Sequence, residues 1–300
     1  MPRLSVLVPA RNSAATIDLA LRSTLRAMPA DSELVVLDDA SEDRTAELIG
    51  RIADPRLRLL RNQVQGGVAA GLNRMLEETD SDLVARMDAD DVVLPWRFRT
   101  QLRALGTADV VFTTVFDWRG SRVRPPAPVA LAPEAFGLHL LVTNPVSHPT
   151  MLARRSALAA VDGYRDVPAE DYDLWLRMEL AGSRQTRLAV PTLAYRIHEH
   201  QVTASSSWRH ASWQAPDVAV AYRSLSERLL GRPFLRLPVL ATQAGSDERF
   251  EDELAQFVAA MDAASVSLPS SARRFLLKKL QRRVSVIRAL RVPDPAPALA

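Results

Sequence analysis

The sequence predicts an α/β protein with a mixed, mostly parallel sheet flanked by helices, followed by a helical C-terminal appendage. Short, uniformly apolar runs such as residues 4–8 are typical of parallel strands that are buried on both faces. These runs alternate with segments whose apolar residues recur at helical spacing, which indicates helices packed on a parallel sheet. Beyond Ser205 the spacing is helical throughout. We therefore expect a sheet-containing domain at 1–205, a helical region at 206–292 and a disordered tail at 293–300.

The first half of the sheet-containing domain can be assigned element by element. Residues 4–8 form a strand that ends at Pro9, and Ser13 can cap the helix that follows. In that helix Ile17 and Leu21 recur at helical spacing. We then expect a strand at 34–37, a helix at 43–53, a strand at 57–60, a helix at 68–78, a strand at 83–87, a helix from Pro95 to about residue 105, and a strand at 110–116.

A proline-rich stretch at residues 124–128 interrupts this alternation and predicts a surface loop. The second half of the domain follows this loop, and the chain beyond it carries only helical patterns. We expect a strand at 150–153, a helix at 171–181, a strand at 188–197, and C-terminal helices at 215–230, 248–261 and 269–290.

The composition is that of a globular protein and excludes several classes of site. The 300 residues are 47% apolar and 24% charged, and they include no cysteine. Neither a disulfide framework nor a thiolate metal site can form, so any metal must be held by oxygen or imidazole. No apolar run approaches the roughly 18 to 20 residues that a membrane span needs. The N-terminus lacks a charged-then-apolar signal pattern, and we expect a cytoplasmic protein.

Acidic side chains directly follow two of the predicted strands. Asp38 and Asp39 follow the second strand, and residues 88–91 follow the strand at 83–87. Because the carboxyl ends of parallel strands meet at one edge of a sheet, we expect these acids to face one crevice. A carboxylate cluster repels itself unless a cation or hydrogen-bond donors neutralise it, and among cations hard oxygen ligands favour Mg²⁺ or Mn²⁺. Taken alone, each group also fits an ordinary polar turn.

Five segments carry the most specific patterns of the chain. They are LSVLVPARNS at 4–13, ELVVLDDASED at 33–43, GVAAGLN at 67–73, ARMDADD at 85–91 with Leu94 and Pro95, and EDYDLWL at 170–176. In this order they resemble the successive motifs of family 2 glycosyltransferases, and the resemblance covers about residues 3–203. It implies a GT-A fold and transfer of a sugar, usually with inversion, from a nucleotide diphosphate to an acceptor hydroxyl.

The resemblance also implies partners and donor contacts. UDP is the default nucleotide, with thymidine and guanosine diphosphates as alternatives. The acceptor is a glycan or a lipid-linked acceptor in polysaccharide, glycolipid or cell-envelope glycan synthesis. Asp39 matches the acid that hydrogen-bonds the base of the donor nucleotide, with Asp38 beside it. The backbone of Pro9, Ala10 and Arg11 matches the segment that lies along this base.

The ARMDADD segment resembles the DXD motif of the family. Asp88 matches the acid that approaches the ribose or the metal, and Asp90 matches the ligand of the Mn²⁺ or Mg²⁺ ion that bridges the diphosphate. Asp91 would support these two side chains. His198 resembles a third metal ligand or a phosphate contact of some family members, and an exposed loop imidazole is the other interpretation. His200 could take its place.

The EDYDLWL segment resembles the catalytic and acceptor side of the family. Asp171 matches the general base, and Asp173 could take this role if the register differs. An acid at this position also fits an ordinary helix N-terminus. Glu170, Trp175 and His148 fall on the acceptor side. For Trp175 the alternative is a place in the core, and for His148 it is simple packing.

Three other classes compete with the transferase. Asp88 and Asp90 also fit the nucleophile motif of haloacid-dehalogenase-like phosphatases, but these need a lysine later in the core, and the chain has lysines only at Lys278 and Lys279. Sugar-phosphate nucleotidyltransferases open with a glycine-rich phosphate loop, and residues 9–13 contain no glycine. A non-catalytic protein that binds sugar nucleotides is the third class, although every expected acid is present.

The C-terminal basic segment, residues 270–292, has two interpretations. Its helix could lie on an anionic bilayer at the inner face of the membrane, or pack its apolar face on the catalytic domain. Nucleic acid is not an expected partner, because the segment offers one aromatic residue, Phe275, and no known motif. The apolar residues at helical spacing are Leu276, Leu277, Leu280, Val284, Ile287 and Leu290.

Overall fold

The computed structural model describes residues 2–198, 201 and 205–291, so His200 and the tail at 293–300 lie outside the described residues. Within these ranges a single sheet of nine strands forms the centre of the molecule. The strands are β1 (Leu4–Ala10), β2 (Ser32–Asp39), β3 (Leu57–Asn62), β4 (Leu83–Arg86), β5 (Val92–Val93), β6 (Val110–Arg119), β7 (Arg122–Arg124), β8 (Leu152–Arg154) and β9 (Gln185–Arg196).

The strand order is β3-β2-β1-β4-β8-β6-β9-β5, and β7 pairs with β6 as a hairpin. Strands β3, β2, β1 and β4 are parallel neighbours. The next strand, β8, is antiparallel to both β4 and β6, and β6 is parallel to β9. The prediction of a mixed, mostly parallel sheet is therefore confirmed.

Helices cover both faces of the sheet and continue to the last described residue. The predicted cap of the first helix is wrong, because the helix begins at Ile17 and the Ser13 hydroxyl donates to the Arg11 carbonyl instead. In chain order the α-helices are α1 (Ile17–Ala27), α2 (Thr45–Gly50), α3 (Val68–Glu77), α4 (Arg97–Leu105), α5 (Pro133–Val142), α6 (Arg155–Ala159), α7 (Glu170–Leu180), α8 (Ser206–Gln214), α9 (Pro216–Leu230), α10 (Leu237–Gln243), α11 (Asp247–Ala264) and α12 (Ser270–Arg291).

Two hydrophobic cores lie on opposite faces of the sheet, because side chains alternate along each strand. In β1, Val6 and Val8 join the core under α1, α2 and α4. Leu7, between them, joins the other core, which contains residues of α3, α5, α7 and the C-terminal helices. The helices after residue 205 thus bury their apolar residues in the same core as the helices of the sheet-containing domain.

The apolar face of α12 belongs to this second core. Leu276, Leu280, Val284 and Ile287 are buried and contribute to it. For residues 270–291 the structure therefore supports the interpretation that the helix packs its apolar face on the protein; contact with a bilayer is not shown. In the described part of the chain, no helix is both long enough and apolar enough to cross a membrane.

Candidate active site

The carboxyl ends of β1, β2 and β4 lie at one edge of the sheet, since these strands are parallel neighbours. The loops that leave this edge carry the predicted donor-binding residues. The Asp39 carboxylate is held there by three donors: Asn62 Nδ2 at 2.6 Å, the Gly66 amide at 2.8 Å and the Gly67 amide at 2.9 Å. Burial raises the pKa of Asp39, but the hydrogen bonds outweigh it and the pKa is lowered overall. Asp39 is thus a fixed, ionised acceptor.

The other residues predicted to contact the nucleotide differ in their exposure to solvent. The exposed Arg11 side chain is close enough for its charge to lower the pKa of Asp39, whereas Ala10 is buried and Pro9 is half-buried. Asp38 is only 1% exposed, and the nearest cation is Arg61, with Nε 3.6 Å from the carboxylate. Because so buried a side chain does not reach a ligand, the prediction of a direct nucleotide contact by Asp38 is not supported by this structure.

The acid cluster follows β4. Carboxylate oxygens of Asp88, Asp90 and Asp91 lie within 4.8 Å of one another. The Asp90 Oδ2 atom is 3.0 Å from Nε2 of His198, so the structure brings this predicted pair together. Asp91 is buried; its Oδ1 accepts the Arg196 amide at 2.8 Å, and its Oδ2 has no hydrogen-bond partner in the described part of the chain.

The electrostatics of this cluster fit a divalent cation. Burial is the largest cause that raises the pKa of both Asp88 and Asp91, and the negative charge of Asp90 raises both further. The Arg86 guanidinium pairs with Asp88 and opposes this effect in part. A hard cation on the carboxylate oxygens would remove the remaining repulsion, so the donor set suits Mg²⁺ or Mn²⁺.

The predicted base lies at the first turn of α7. Asp171 Oδ2 accepts Asn144 Nδ2 at 2.8 Å, and its Oδ1 accepts the amide of Tyr172 at 2.7 Å. Ala169, which directly precedes the helix, adopts a left-handed conformation with φ 64°. This conformation is unfavourable for a residue with a Cβ, and it sets the direction in which the chain enters the helix. Asp173, the alternative base, is fully buried against Arg177 and does not line the cavity.

The three residues predicted on the acceptor side have different environments. His148 Nε2 is 2.9 Å from the Tyr164 hydroxyl, and its Nδ1 is 3.7 Å from Oε1 of Glu170. Burial lowers the pKa of His148 well below its usual value and, with the charge of Asp171, raises the pKa of Glu170 to about 7. Trp175 is fully buried, 4.7 Å from the Phe112 ring, so its predicted contact with an acceptor is wrong and it belongs to the core.

One cavity of about 630 Å³ joins the acid cluster to the head of α7. Val68 lines this cavity and directly follows Gly67, whose amide donates to Asp39. The predicted nucleotide-binding residues therefore lie next to the cavity. The cavity continues between the body and the C-terminal helices, where sequence patterns indicated no site. The lining residues that the sequence did not reveal include Arg86, Asn144, Trp208, Trp213, Arg236 and Arg283.

The sheet has the topology of the GT-A glycosyltransferase fold, with acids after β2 and β4, on either side of β1, and the Asp171 carboxylate of α7 in the same cavity as Asp88 and Asp90. Within this class, the family model of glycosyl transferase family 2 matches residues 5–158. The chain therefore belongs to glycosyl transferase family 2 and is a glycosyltransferase. This membership removes the phosphatase and nucleotidyltransferase alternatives.

Relatives agree with this assignment. EpsE of Bacillus subtilis is 32% identical over 214 residues, covering 66% of this chain and 73% of EpsE. The Escherichia coli protein WfaP, named as a UDP-Glc:alpha-D-GlcNAc-diphosphoundecaprenol beta-1,3-glucosyltransferase, is 24% identical over 206 residues, covering 68% of this chain and 81% of WfaP. The crystal structure of S. aureus TarS with UDP-GlcNAc has the same fold, with a TM-score of 0.63 at 19% identity over 97% of this chain and 90% of TarS.

Proposed function

We propose that the chain is a metal-dependent, inverting transferase that moves a sugar from a nucleotide diphosphate to an acceptor hydroxyl in cell-envelope glycan synthesis. The observation that carries this proposal is the single cavity onto which Asp88 and Asp90 open from a strand end and Asp171 opens from a helix. Such a transfer requires a pair of carboxylates that can hold a cation and a separate carboxylate that can accept a proton.

On the donor side, the fixed carboxylate of Asp39 accepts hydrogen bonds from the nucleotide base, and Arg11 lies beside it. Asp88 and Asp90, with His198 next to Asp90, hold Mn²⁺ or Mg²⁺. The bound cation supplies positive charge that stabilises the departing diphosphate. We favour UDP as the nucleotide, because the names of WfaP and of the TarS complex both contain a UDP-sugar.

On the acceptor side, Asp171 takes the proton of the hydroxyl. The acceptor oxygen bonds to the anomeric carbon as the bond to the diphosphate breaks on the opposite side, and the hydroxyl proton passes to the carboxylate. Burial raises the pKa of Asp171, which strengthens it as a base near neutral pH. The hydrogen bonds from Asn144 and the Tyr172 amide fix the direction of its oxygens.

The donor half of the proposal is tested by thermal shift with UDP, GDP and TDP, each with and without Mn²⁺. We expect one nucleotide to stabilise the wild type and Mn²⁺ to increase this effect. Asp90→Asn should abolish the increase due to the metal without changing the melting temperature of the free protein by more than a few degrees. Asp18→Asn, an exposed change on α1, is the matched control. A panel without any stabilising nucleotide would contradict the proposal.

The catalytic half is tested with Asp171→Asn, which keeps the size of the side chain and removes its charge. With the donor identified by thermal shift, release of the nucleotide diphosphate should fall by about 10²- to 10⁴-fold, while the affinity for the nucleotide stays within about threefold. Normal turnover in this variant would show that Asp171 is not the base. Unchanged, very low turnover in wild type and variant would instead favour the non-catalytic alternative.

A further inference from the structure

The C-terminal helices form part of the cavity wall, and the proposed reaction does not use this part. Two arginines reach it: Arg236, which directly precedes α10, and Arg283 in the middle of α12. Their surroundings indicate what they could bind.

Neither guanidinium has a carboxylate as its neighbour. Arg236 lies over the Tyr172 ring at 4.9 Å and donates from Nη1 to the Ser212 carbonyl at 2.6 Å. Arg283 Nε is buried and has no hydrogen-bond partner among residues 2–198, 201 and 205–291. Within the same described ranges, no carboxylate oxygen lies within 4.0 Å of either side chain. Both arginines therefore keep donors available to a ligand.

Further cations adjoin this pair. Burial, together with the charges of Arg187 and Arg283, lowers the pKa of Lys279 to about 7. Burial and the charge of Arg236 lower the pKa of Arg283 as well. Partly buried cations that repel one another destabilise the folded state unless a counterion is bound. The arrangement is therefore suited to an anion rather than to a neutral ligand.

This positive region is distinct from the donor site. Arg86 influences the pKa of Asp88 and of Asp171, whereas Arg236 and Arg283 influence the pKa of Tyr172 and Tyr222, which also line the cavity. Arg236 lies over the ring of Tyr172, which directly follows Asp171, so the arginines are on the acceptor side of the base.

The cavity also has apolar and aromatic lining residues near these arginines. Trp208 and Trp213 of α8 and Leu237 and Pro238 at the start of α10 line the cavity beside the arginines. Indole faces are good contacts for sugar rings and for hydrocarbon, and they leave the guanidinium groups as the charged part of the surface. This combination fits an organic group that carries a phosphate.

We propose that Arg236 and Arg283 bind a phosphate or diphosphate group of the acceptor, and so place its sugar hydroxyl at Asp171. This inference rests on the proposed transferase function and adds the chemical class of the acceptor, a phosphate-linked sugar. Two guanidinium groups can hold several phosphate oxygens at once, which a flexible ammonium does less well. Removing either arginine weakens acceptor binding and leaves donor binding intact.

The test is isothermal titration calorimetry with geranyl diphosphate in EDTA, where the donor's metal site cannot retain a diphosphate. Wild-type protein should bind this probe, and Arg236→Gln and Arg283→Gln should each weaken binding by at least tenfold. Arg283→Lys, which keeps the charge, should lose less. Arg282→Gln is the matched control, because Arg282 is exposed on the same helix and does not line the cavity. Its affinity should equal that of the wild type.

Three results would overturn the inference. The first is that geranyl diphosphate does not bind a wild-type protein that still binds its nucleotide with Mn²⁺. The second is that Arg236→Gln, Arg283→Gln and Arg282→Gln bind geranyl diphosphate with equal affinity. The third is inorganic phosphate binding as tightly as geranyl diphosphate, which would indicate a site for free phosphate. A wild-type protein that binds no nucleotide would instead contradict the proposed function itself. Melting temperatures of all variants establish that each one is folded.

Discussion

Glu170 is a buried acid whose ionisation should destabilise the folded protein at neutral pH. Burial and the neighbouring Asp171 raise its pKa from 4.5 to about 7. The folded protein therefore holds this proton more tightly than the unfolded chain does. Below pH 4.5 the group contributes its full stability, and this contribution is lost as the pH rises through 7. Glu170→Gln mimics the protonated form at every pH.

The structure sets the size of the effect. Each pKa unit corresponds to about 1.4 kcal/mol, so the shift from 4.5 to about 7 gives an upper limit of about 3 to 4 kcal/mol. The Glu170 side chain is 22% exposed and lies near His148, which leaves room for water to relax around the charge. We therefore expect Glu170→Gln to be more stable than the wild type by about 1 to 2 kcal/mol at pH 8, and by close to zero at pH 4.5.

The assay is urea unfolding of both proteins at several pH values between 4.5 and 8.5. The difference in unfolding free energy, rather than either value alone, isolates the titration of this one group. Glu134→Gln is the matched control, because this glutamate is 64% exposed on α5 and should give no trend with pH. A difference that does not change with pH, or a wild type that is the more stable protein at pH 8, would refute the reasoning.

Two further predictions concern the fold. Gly163→Ala should lower the free energy of unfolding by about 2 to 3 kcal/mol, because φ is +64° and the new Cβ would lie 2.6 Å from Oδ1 of Asn73. Gly182→Ala, at φ +83° with open space around it, should lower it by about 1 kcal/mol in the same urea unfolding assay. Ile287→Ala, which removes a fully buried side chain of α12, should cost about 3 kcal/mol, against less than about 0.5 kcal/mol for the half-exposed Val286→Ala. Equal costs within either pair would contradict the assigned packing.

The sequence was sufficient to predict the donor side because this side depends on local patterns. A buried parallel strand is a short apolar run, and the residues that follow it lie at the functional edge of the sheet. Asp39, Asp88 and Asp90 are found this way without any knowledge of long-range contacts. The same rule failed for Asp38, because the position of a residue at a strand end does not reveal whether its side chain points to the surface or below it.

The rest could not be predicted because it depends on packing between distant segments. Helix α5 is buried along nearly its whole length, so its sequence shows no polar face and no helical period. Trp175 lies one turn beyond Asp171, yet it points into the core rather than the cavity. Arg236 and Arg283 are 47 positions apart in the sequence and come together only because α10 packs against α12.

Glu170 and Asp171, in the first turn of α7, differ in the hydrogen bonds that their carboxyl groups accept. Two donors hold the Asp171 carboxylate, and these bonds favour its ionised form. Glu170 is buried beside it without such a pair, and the negative charge of Asp171 opposes a second ionisation. Of the two acids, Glu170 is therefore the one that retains a proton more readily, which leaves Asp171 as the free base. If this is correct, Glu170→Gln retains transferase activity at pH 7 while Asp171→Asn loses it, and a measurement of nucleotide release from both variants distinguishes the two acids.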